Sequence, residues 1–176
     1  MTLRKTVVHS LMLCAIGGIA AAHEGCEASR LQFTSFPVSF IDTARVPEGY
    51  GLDHGGTWRD RMGKHVRDPV VNFAGRYHLG LHSCGAGCRY YTLIDLTSGA
   101  DLSSVVEMFG SMDPPSRTSD GFIYVTDLLS RPDSRLLVAQ YILDVPSGEG
   151  CRERLYVFDG GMLRAISTTR LFCESW

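Results

Sequence analysis

Apolar and polar residues alternate in the segment from Phe73 to Leu81, where Tyr77, Leu79 and Leu81 fall on one side. A period of two is what a half-buried β-strand requires. Other runs are apolar at four successive positions, which is typical of strands covered on both faces; they lie at residues 122–125, 136–139 and 155–158. Helix signals are sparse. The pattern predicts an all-β fold, either a sandwich of antiparallel hairpins or a propeller-like arrangement.

Two segments repeat this pattern. GAGCRYYTLIDLTSGADL begins at Gly85 and GEGCRERLYVFDGGMLRAI begins at Gly148. A further strand-like run precedes each of them, and Arg76 and Arg135 hold corresponding positions in these two runs. We therefore predict an internal repeat, with halves at about 72–105 and 131–169. Two similar hairpins that arose by chance are the alternative.

The first 22 residues have the composition of a secretory signal peptide. Arg4 and Lys5 precede an apolar run that ends in Ala20, Ala21 and Ala22, small residues of the kind that a signal peptidase requires. The apolar run is short for a membrane span. We expect cleavage after Ala22, export to the periplasm, and a mature chain (23–176) that forms one β domain without a membrane span.

The charge balance argues against one class of partner. The chain has 17 basic and 19 acidic residues. Loss of Arg4 and Lys5 would leave 15 basic residues against 19 acidic ones, a net charge of −4. Nucleic-acid binding requires a basic surface, so we expect no nucleic acid among the partners. No cofactor motif is present, and no cofactor is predicted.

Five cysteines would remain after export: Cys26, Cys84, Cys88, Cys151 and Cys173. Disulfides are the default state of cysteines in an oxidising compartment. The Gly-Ala-Gly between Cys84 and Cys88 bends tightly enough to allow a bond between them, and we predict this pair. Five is odd, so one thiol is free or is bonded to another molecule.

A second disulfide is suggested by a hairpin. Asp159-Gly160-Gly161 lies between two apolar runs and predicts a two-residue turn, in which Asp159 pairs with Met162. Cys151 then pairs with Arg170, three residues before Cys173, and a bend could close the gap. We narrowly favour Cys151–Cys173 over Cys26–Cys173.

Candidate catalytic and metal sites have simpler explanations. His78 and His82, four residues apart on a strand, would be about 13 Å apart, too far to share a zinc ion. We expect them to be surface or hairpin side chains. The Cys-x3-Cys spacing is not that of thioredoxin-like redox motifs, and a cysteine nucleophile would need a reduced thiol. Most acidic residues lie in turns. We predict neither a catalytic residue nor a metal site.

A loop rich in turn-forming residues carries large apolar side chains. Phe109, Gly110, Ser111, Met112 and Asp113 precede two prolines, which stiffen the backbone. Such a loop suits protein recognition, because a stiff segment loses little entropy on binding. These five residues are the predicted binding loop. In the alternative interpretation, Met108 and Phe109 end a short helix and belong to the core.

Two resemblances extend this prediction. NFAGRY at residues 72–77, followed by CGAGC, resembles a set of uncharacterised exported bacterial proteins. In architecture and compartment, the chain is similar to periplasmic immunity proteins that neutralise type VI secretion amidase effectors. That similarity implies an inhibitor whose loop enters the active site of a secreted peptidoglycan amidase. The alternatives are a structural or assembly component of the cell envelope, and an unrecognised secreted enzyme.

Overall fold

The strands of the computed structural model are antiparallel and form three sheets. The structure describes residues 31–42, 45–86, 88–146 and 150–176, so the predicted signal peptide and Cys26 lie outside the described residues. The elements are β1 (Gly51–Leu52), β2 (Trp58–Arg59), β3 (Tyr77–Gly85), β4 (Cys88–Asp95), β5 (Tyr124–Leu129), β6 (Leu136–Leu143), β7 (Gly150–Asp159) and β8 (Met162–Ala165), with short 3₁₀ turns at Phe33–Ser35, Ser103–Val105 and Glu107–Phe109. The sheet orders are β1-β2, β3-β4 and β5-β6-β7-β8.

The hairpin β3–β4 packs against the four-stranded sheet. Their facing side chains form one core, in which the Tyr77 ring of β3 meets the Phe158 ring of β7 at 4.9 Å between centroids. The other members of this core are Phe73, Leu79, Tyr91, Leu93, Val106, Phe109, Leu137, Ala139 and Tyr156. The all-β prediction is confirmed, and the sandwich of hairpins is the alternative that the described strands support.

Each predicted half contains one long hairpin. In the first half, Tyr77 of β3 pairs with Asp95 of β4. In the second, Leu136 of β6 pairs with Val157 of β7. Both hairpins contribute side chains to the same core, and the Cys-Arg dipeptides at 88–89 and 151–152 lie at the beginning of their second strands.

The NFAGRY segment forms the turn that leads into β3. Ala74 and Gly75 have φ angles of 43° and 82°. A Cβ atom at residue 75 would lie 2.6 Å from the carbonyl oxygen of Phe40, so this position requires glycine. The side chain of Asn72 accepts a hydrogen bond from the backbone N–H of Leu79 (2.7 Å) and donates one to its carbonyl (2.9 Å).

Both predicted disulfides are present. The Cα atoms of Cys84 and Cys88 are 5.1 Å apart, and those of Cys151 and Cys173 are 5.6 Å apart. Asp159 pairs with Met162, as the Gly-Gly turn predicts. The pairing between Glu153 and Arg170 is displaced by two residues from that register. This displacement brings Cys173 to Cys151.

Candidate functional site

The predicted binding loop is anchored to the core by alternate residues. Phe109 is buried, and its ring meets that of Tyr156 at 5.3 Å, edge to face. Ser111 is buried as well, and its backbone forms two hydrogen bonds with Arg89, of 2.9 and 2.8 Å. Gly110 is half-buried between them, and its N–H donates to Glu107. These contacts fix the backbone of the loop.

The residues on either side of these anchors point outward. Met108 is 63% exposed and Met112 is 58% exposed, and Asp113 is also exposed. Phe109 therefore belongs to the core, as in the alternative interpretation, and it cannot present its ring to a partner. The exposed side chains that remain for recognition are those of Met108, Met112 and Asp113, and we call the two methionines the methionine pair.

The Cys84–Cys88 disulfide lies next to this loop. Arg89, which pairs with Ser111, directly follows Cys88. The guanidinium of Arg89 donates to the carbonyl of Thr126 (2.5 Å) and lies 3.2 Å from the carboxylate of Asp127. The disulfide, the β5 strand and the loop are thus joined through one residue, which adds to the rigidity of the methionine pair.

A second candidate site surrounds His82 and consists of Tyr50, Asp60, His82 and Thr92; we call it the His82 cluster. The Nδ1 atom of His82 donates to Asp60 Oδ2 at 2.8 Å. Nε2 of His82 lies 2.8 Å from the hydroxyl oxygen of Thr92 and 3.1 Å from that of Tyr50, within hydrogen-bond distance of both. His82 and Asp60 are both buried.

The His82 cluster joins the outer face of β3–β4 to the segment at residues 45–72. His82 and Thr92 lie on the two strands, whereas Tyr50 and Asp60 belong to the segment. Gly80 pairs with Thr92. A Cβ atom at Gly80 would lie 2.6 Å from the Tyr50 hydroxyl and 2.8 Å from that of Thr92, so the cluster forms only because residue 80 has no side chain.

Burial and hydrogen bonding shift three pKa values around the cluster. Burial opposes the charged form of Asp60, but hydrogen bonds from His82 and from the backbone of Lys64 and Met62 outweigh it and lower the pKa of the carboxyl. Burial raises the pKa of Tyr50. Burial also lowers the pKa of His78, whose Nδ1 donates to the carbonyl of Val70 at 2.9 Å.

The order Thr92–His82–Asp60 is that of a hydroxyl nucleophile, a base and an orienting carboxylate. Two aromatic rings flank the imidazole of His82. The ring of Tyr90 stacks on it with 4.8 Å between centroids, and the ring of Tyr50 meets it edge-on with 5.9 Å between centroids. The His82 cluster links residues 45–72 to the hairpin through these contacts.

One expectation from the sequence is only partly confirmed. His78 and His82 are hairpin side chains, on the strand β3, but they are buried and are not surface side chains. Sequence reasoning also missed Tyr50 and Asp60, which lie 32 and 22 residues before His82. No local pattern marks them, because only the packing of the 45–72 segment brings them to β3. Among the described residues, no group of three or more His, Cys, Asp or Glu side chains is arranged to hold a metal ion.

The chain was compared with protein-family models, curated proteins and solved structures, and none of the three comparisons returned a match. Within the described residues, no helix has the length and apolar character needed to cross a membrane.

Proposed function

We infer that the protein is a periplasmic inhibitor that binds another protein through the methionine pair, and that its target is a secreted peptidoglycan amidase. One observation supports this proposal above all: two exposed methionines are carried by a backbone whose intervening residues, Phe109 and Ser111, are buried. The class of target follows from the resemblance in architecture and compartment to periplasmic immunity proteins.

The methionine pair has the physical properties of a recognition surface. Methionine is flexible and polarisable, so it adapts to an apolar pocket of a partner. The backbone beneath it is already ordered by the Arg89–Ser111 hydrogen bonds, and little conformational entropy remains to be lost on binding. The loop that enters a partner is thereby reduced to Met108, Met112 and Asp113.

The test measures whether the purified, exported protein inhibits peptidoglycan hydrolysis by any of a panel of secreted amidases. Met108→Asp with Met112→Asp should weaken inhibition of the susceptible enzyme about 100-fold, equivalent to roughly 1.4 kcal/mol from each side chain. Met162→Asp is the matched control, because Met162 is 71% exposed but lies on β8. Circular dichroism and thermal unfolding verify that each variant is folded.

Two results would contradict the proposal. One is that no amidase of the panel is bound or inhibited. The other is that the double variant inhibits as well as the wild type, or that Met162→Asp has an equal effect. In that second case the protein binds an amidase through a different surface.

A further inference from the structure

A cleft of about 380 Å³ lies at one end of the sandwich, and none of the described residues that line it belongs to the loop that carries the methionine pair. Three parts of the chain line it: residues 37–40, the turn and first residues of β3 at 74–77, and the β7–β8 turn at 158–160. Arg135, just before β6, completes the lining.

The cleft combines apolar and cationic groups. Its apolar side includes the edge-to-face pair of Tyr77 and Phe158 and the exposed ring of Phe40. Its cationic groups are Arg76 and Arg135, whose side chains are 47% and 41% exposed. Clefts with apolar walls and a few converging polar groups are the usual form of small-molecule sites.

The two arginines hold corresponding positions of the predicted internal repeat. Arg76 immediately precedes β3 and Arg135 immediately precedes β6, at corresponding positions of the two predicted halves. Both hairpins pack into one core, so the beginnings of β3 and β6 come to the same cleft. Arg76 and Arg135, one from each predicted half, therefore line a single cleft.

The contacts shown by the structure for the two guanidinium groups do not involve every N–H donor, and Asp42 is a further acidic group near Arg76. Arg76 lies 3.2 Å from the carboxylate of Asp95 through Nε and donates to the Tyr77 hydroxyl through Nη2 at 3.1 Å. These contacts use two of its five N–H groups. The ion pair of Arg135 is longer, with 3.8 Å between Nη1 and the carboxylate of Asp159, which is itself 76% exposed.

We propose that this cleft binds a small organic anion, with its carboxylate or phosphate group between Arg76 and Arg135 and its apolar part against Phe40, Tyr77 and Phe158. Planar guanidinium groups suit both kinds of oxyanion, because they can donate two parallel hydrogen bonds. Asp159 competes for Arg135 in the free protein, so the ligand displaces a weak, exposed ion pair. This site is independent of the proposed inhibitor function.

The experiment is titration of the ¹⁵N-labelled mature protein, followed by amide chemical shifts, with phenyl phosphate, benzoate, inorganic phosphate and benzylamine. Phenyl phosphate or benzoate should shift the amides of residues 74–77 and 158–160, with millimolar or tighter affinity that weakens as salt is added. Saturation by one and not the other identifies the oxyanion. Inorganic phosphate should bind at least tenfold more weakly than phenyl phosphate, and the cation benzylamine should not bind.

Three variants sharpen the test. Arg135→Gln should weaken binding at least tenfold without loss of folding, because Arg135 makes one long contact. Asp159→Asn should tighten binding severalfold by removing the competing carboxylate. Arg67→Gln, at an exposed arginine outside the cleft, should have no effect.

The proposal is overturned if neither organic anion shifts these amides, or if Arg67→Gln weakens binding as much as Arg135→Gln. Equal affinity for inorganic and phenyl phosphate would overturn the role of the apolar wall. Tighter binding of benzylamine than of phenyl phosphate would contradict the proposed preference of the cleft for anions.

Discussion

The two outer faces of the sandwich are covered in similar ways but are held differently. An irregular segment, residues 45–72, covers β3–β4 and is attached through the buried His82 cluster. On the opposite side, Phe33 and Trp176 pack on the four-stranded sheet, with 5.4 Å between their ring centroids. There the buried polar residue is Glu153. Each face thus has an ionisable side chain beneath a segment with little regular structure.

The carboxylate of Glu153 accepts hydrogen bonds from the C-terminal segment. Trp176 Nε1 donates to it at 2.7 Å, Gln140 Nε2 at 3.0 Å and the backbone N–H of Glu174 at 3.2 Å. Arg170 lies 3.4 Å away and completes what we call the Glu153 cluster. With several donors around it, this buried carboxylate meets the requirement that buried charges be paired and hydrogen-bonded.

The difference between the faces is covalent. Cys173, in the C-terminal segment, is bonded to Cys151, two residues before Glu153. The Cys84–Cys88 bond lies at the turn of its own hairpin and does not tie down residues 45–72. The C-terminal segment is therefore attached twice, and the 45–72 segment depends on non-covalent contacts. Segments held in that way open more readily in the native state.

The largest expected effect is at Glu153. Glu153→Ala should lower the free energy of unfolding by about 3–5 kcal/mol, because it leaves Trp176 Nε1 and the backbone N–H of Glu174 without their acceptor. Gln140 keeps the carbonyl of Glu174, and Arg170 keeps the Glu174 carboxylate. Denaturant unfolding measures this loss. Glu107→Ala, at an exposed glutamate, should change stability by no more than about 0.5 kcal/mol. Similar losses in the two variants would refute the structural role of the Glu153 cluster.

The disulfides should rank by the length of chain that each one closes. The cysteines of Cys151–Cys173 are 22 positions apart and those of Cys84–Cys88 are 4 apart. Replacing the longer pair by serine should cost about 3 kcal/mol, and replacing the shorter pair about 2 kcal/mol, on chain-entropy grounds. Unfolding midpoints of the two double variants test the order. A larger loss for the Cys84–Cys88 variant would show that fixing the turn matters more than closing the loop.

His82→Ala should destabilise the protein by about 2–3 kcal/mol, because it removes a hydrogen bond to the buried Asp60 carboxylate and the contacts of Nε2 with the Thr92 and Tyr50 hydroxyls. The effect should be local: amide exchange should accelerate in residues 45–72 more than in β7. A double-mutant cycle with Asp60→Asn isolates the pair. Coupling near zero, or uniform acceleration of exchange, would contradict the attachment of this segment through the His82 cluster.

The smallest effect expected is a pH dependence due to His78. Its pKa is lowered in the folded protein by burial, so below about pH 6.5 the unfolded chain binds more protons and stability falls as the pH falls. One such group contributes a slope of up to about 1.4 kcal/mol per pH unit. His78→Asn, which keeps a donor for Val70, should flatten the profile between pH 7.5 and 5.5. His54→Asn, at an exposed histidine, should not; equal profiles in all three proteins would exclude His78 as the source.

Much of the fold could be predicted because its determinants are local. Alternation marked the strand at Tyr77–Gly85, and the φ angles of Gly160 and Gly161, 55° and 87°, fit the predicted two-residue turn. The Gly-Ala-Gly spacing led to the Cys84–Cys88 bond, and the register of the Gly-Gly hairpin led to the narrow preference for Cys151–Cys173. In each case, a few neighbouring residues restrict the backbone. That restriction does not depend on which other segment of the chain packs nearby.

The sequence by itself indicated the long strands, the Gly-Gly turn and the Cys84–Cys88 pair of this protein. Tertiary structure alone decided that Phe109 points inward while Met108 points outward, that His82 meets Asp60, and that Glu153 is buried under Trp176. The physical reason is that burial and hydrogen-bond partners depend on which distant segment covers a face. Residues 22 and 23 positions apart in the chain become neighbours only when the layers pack.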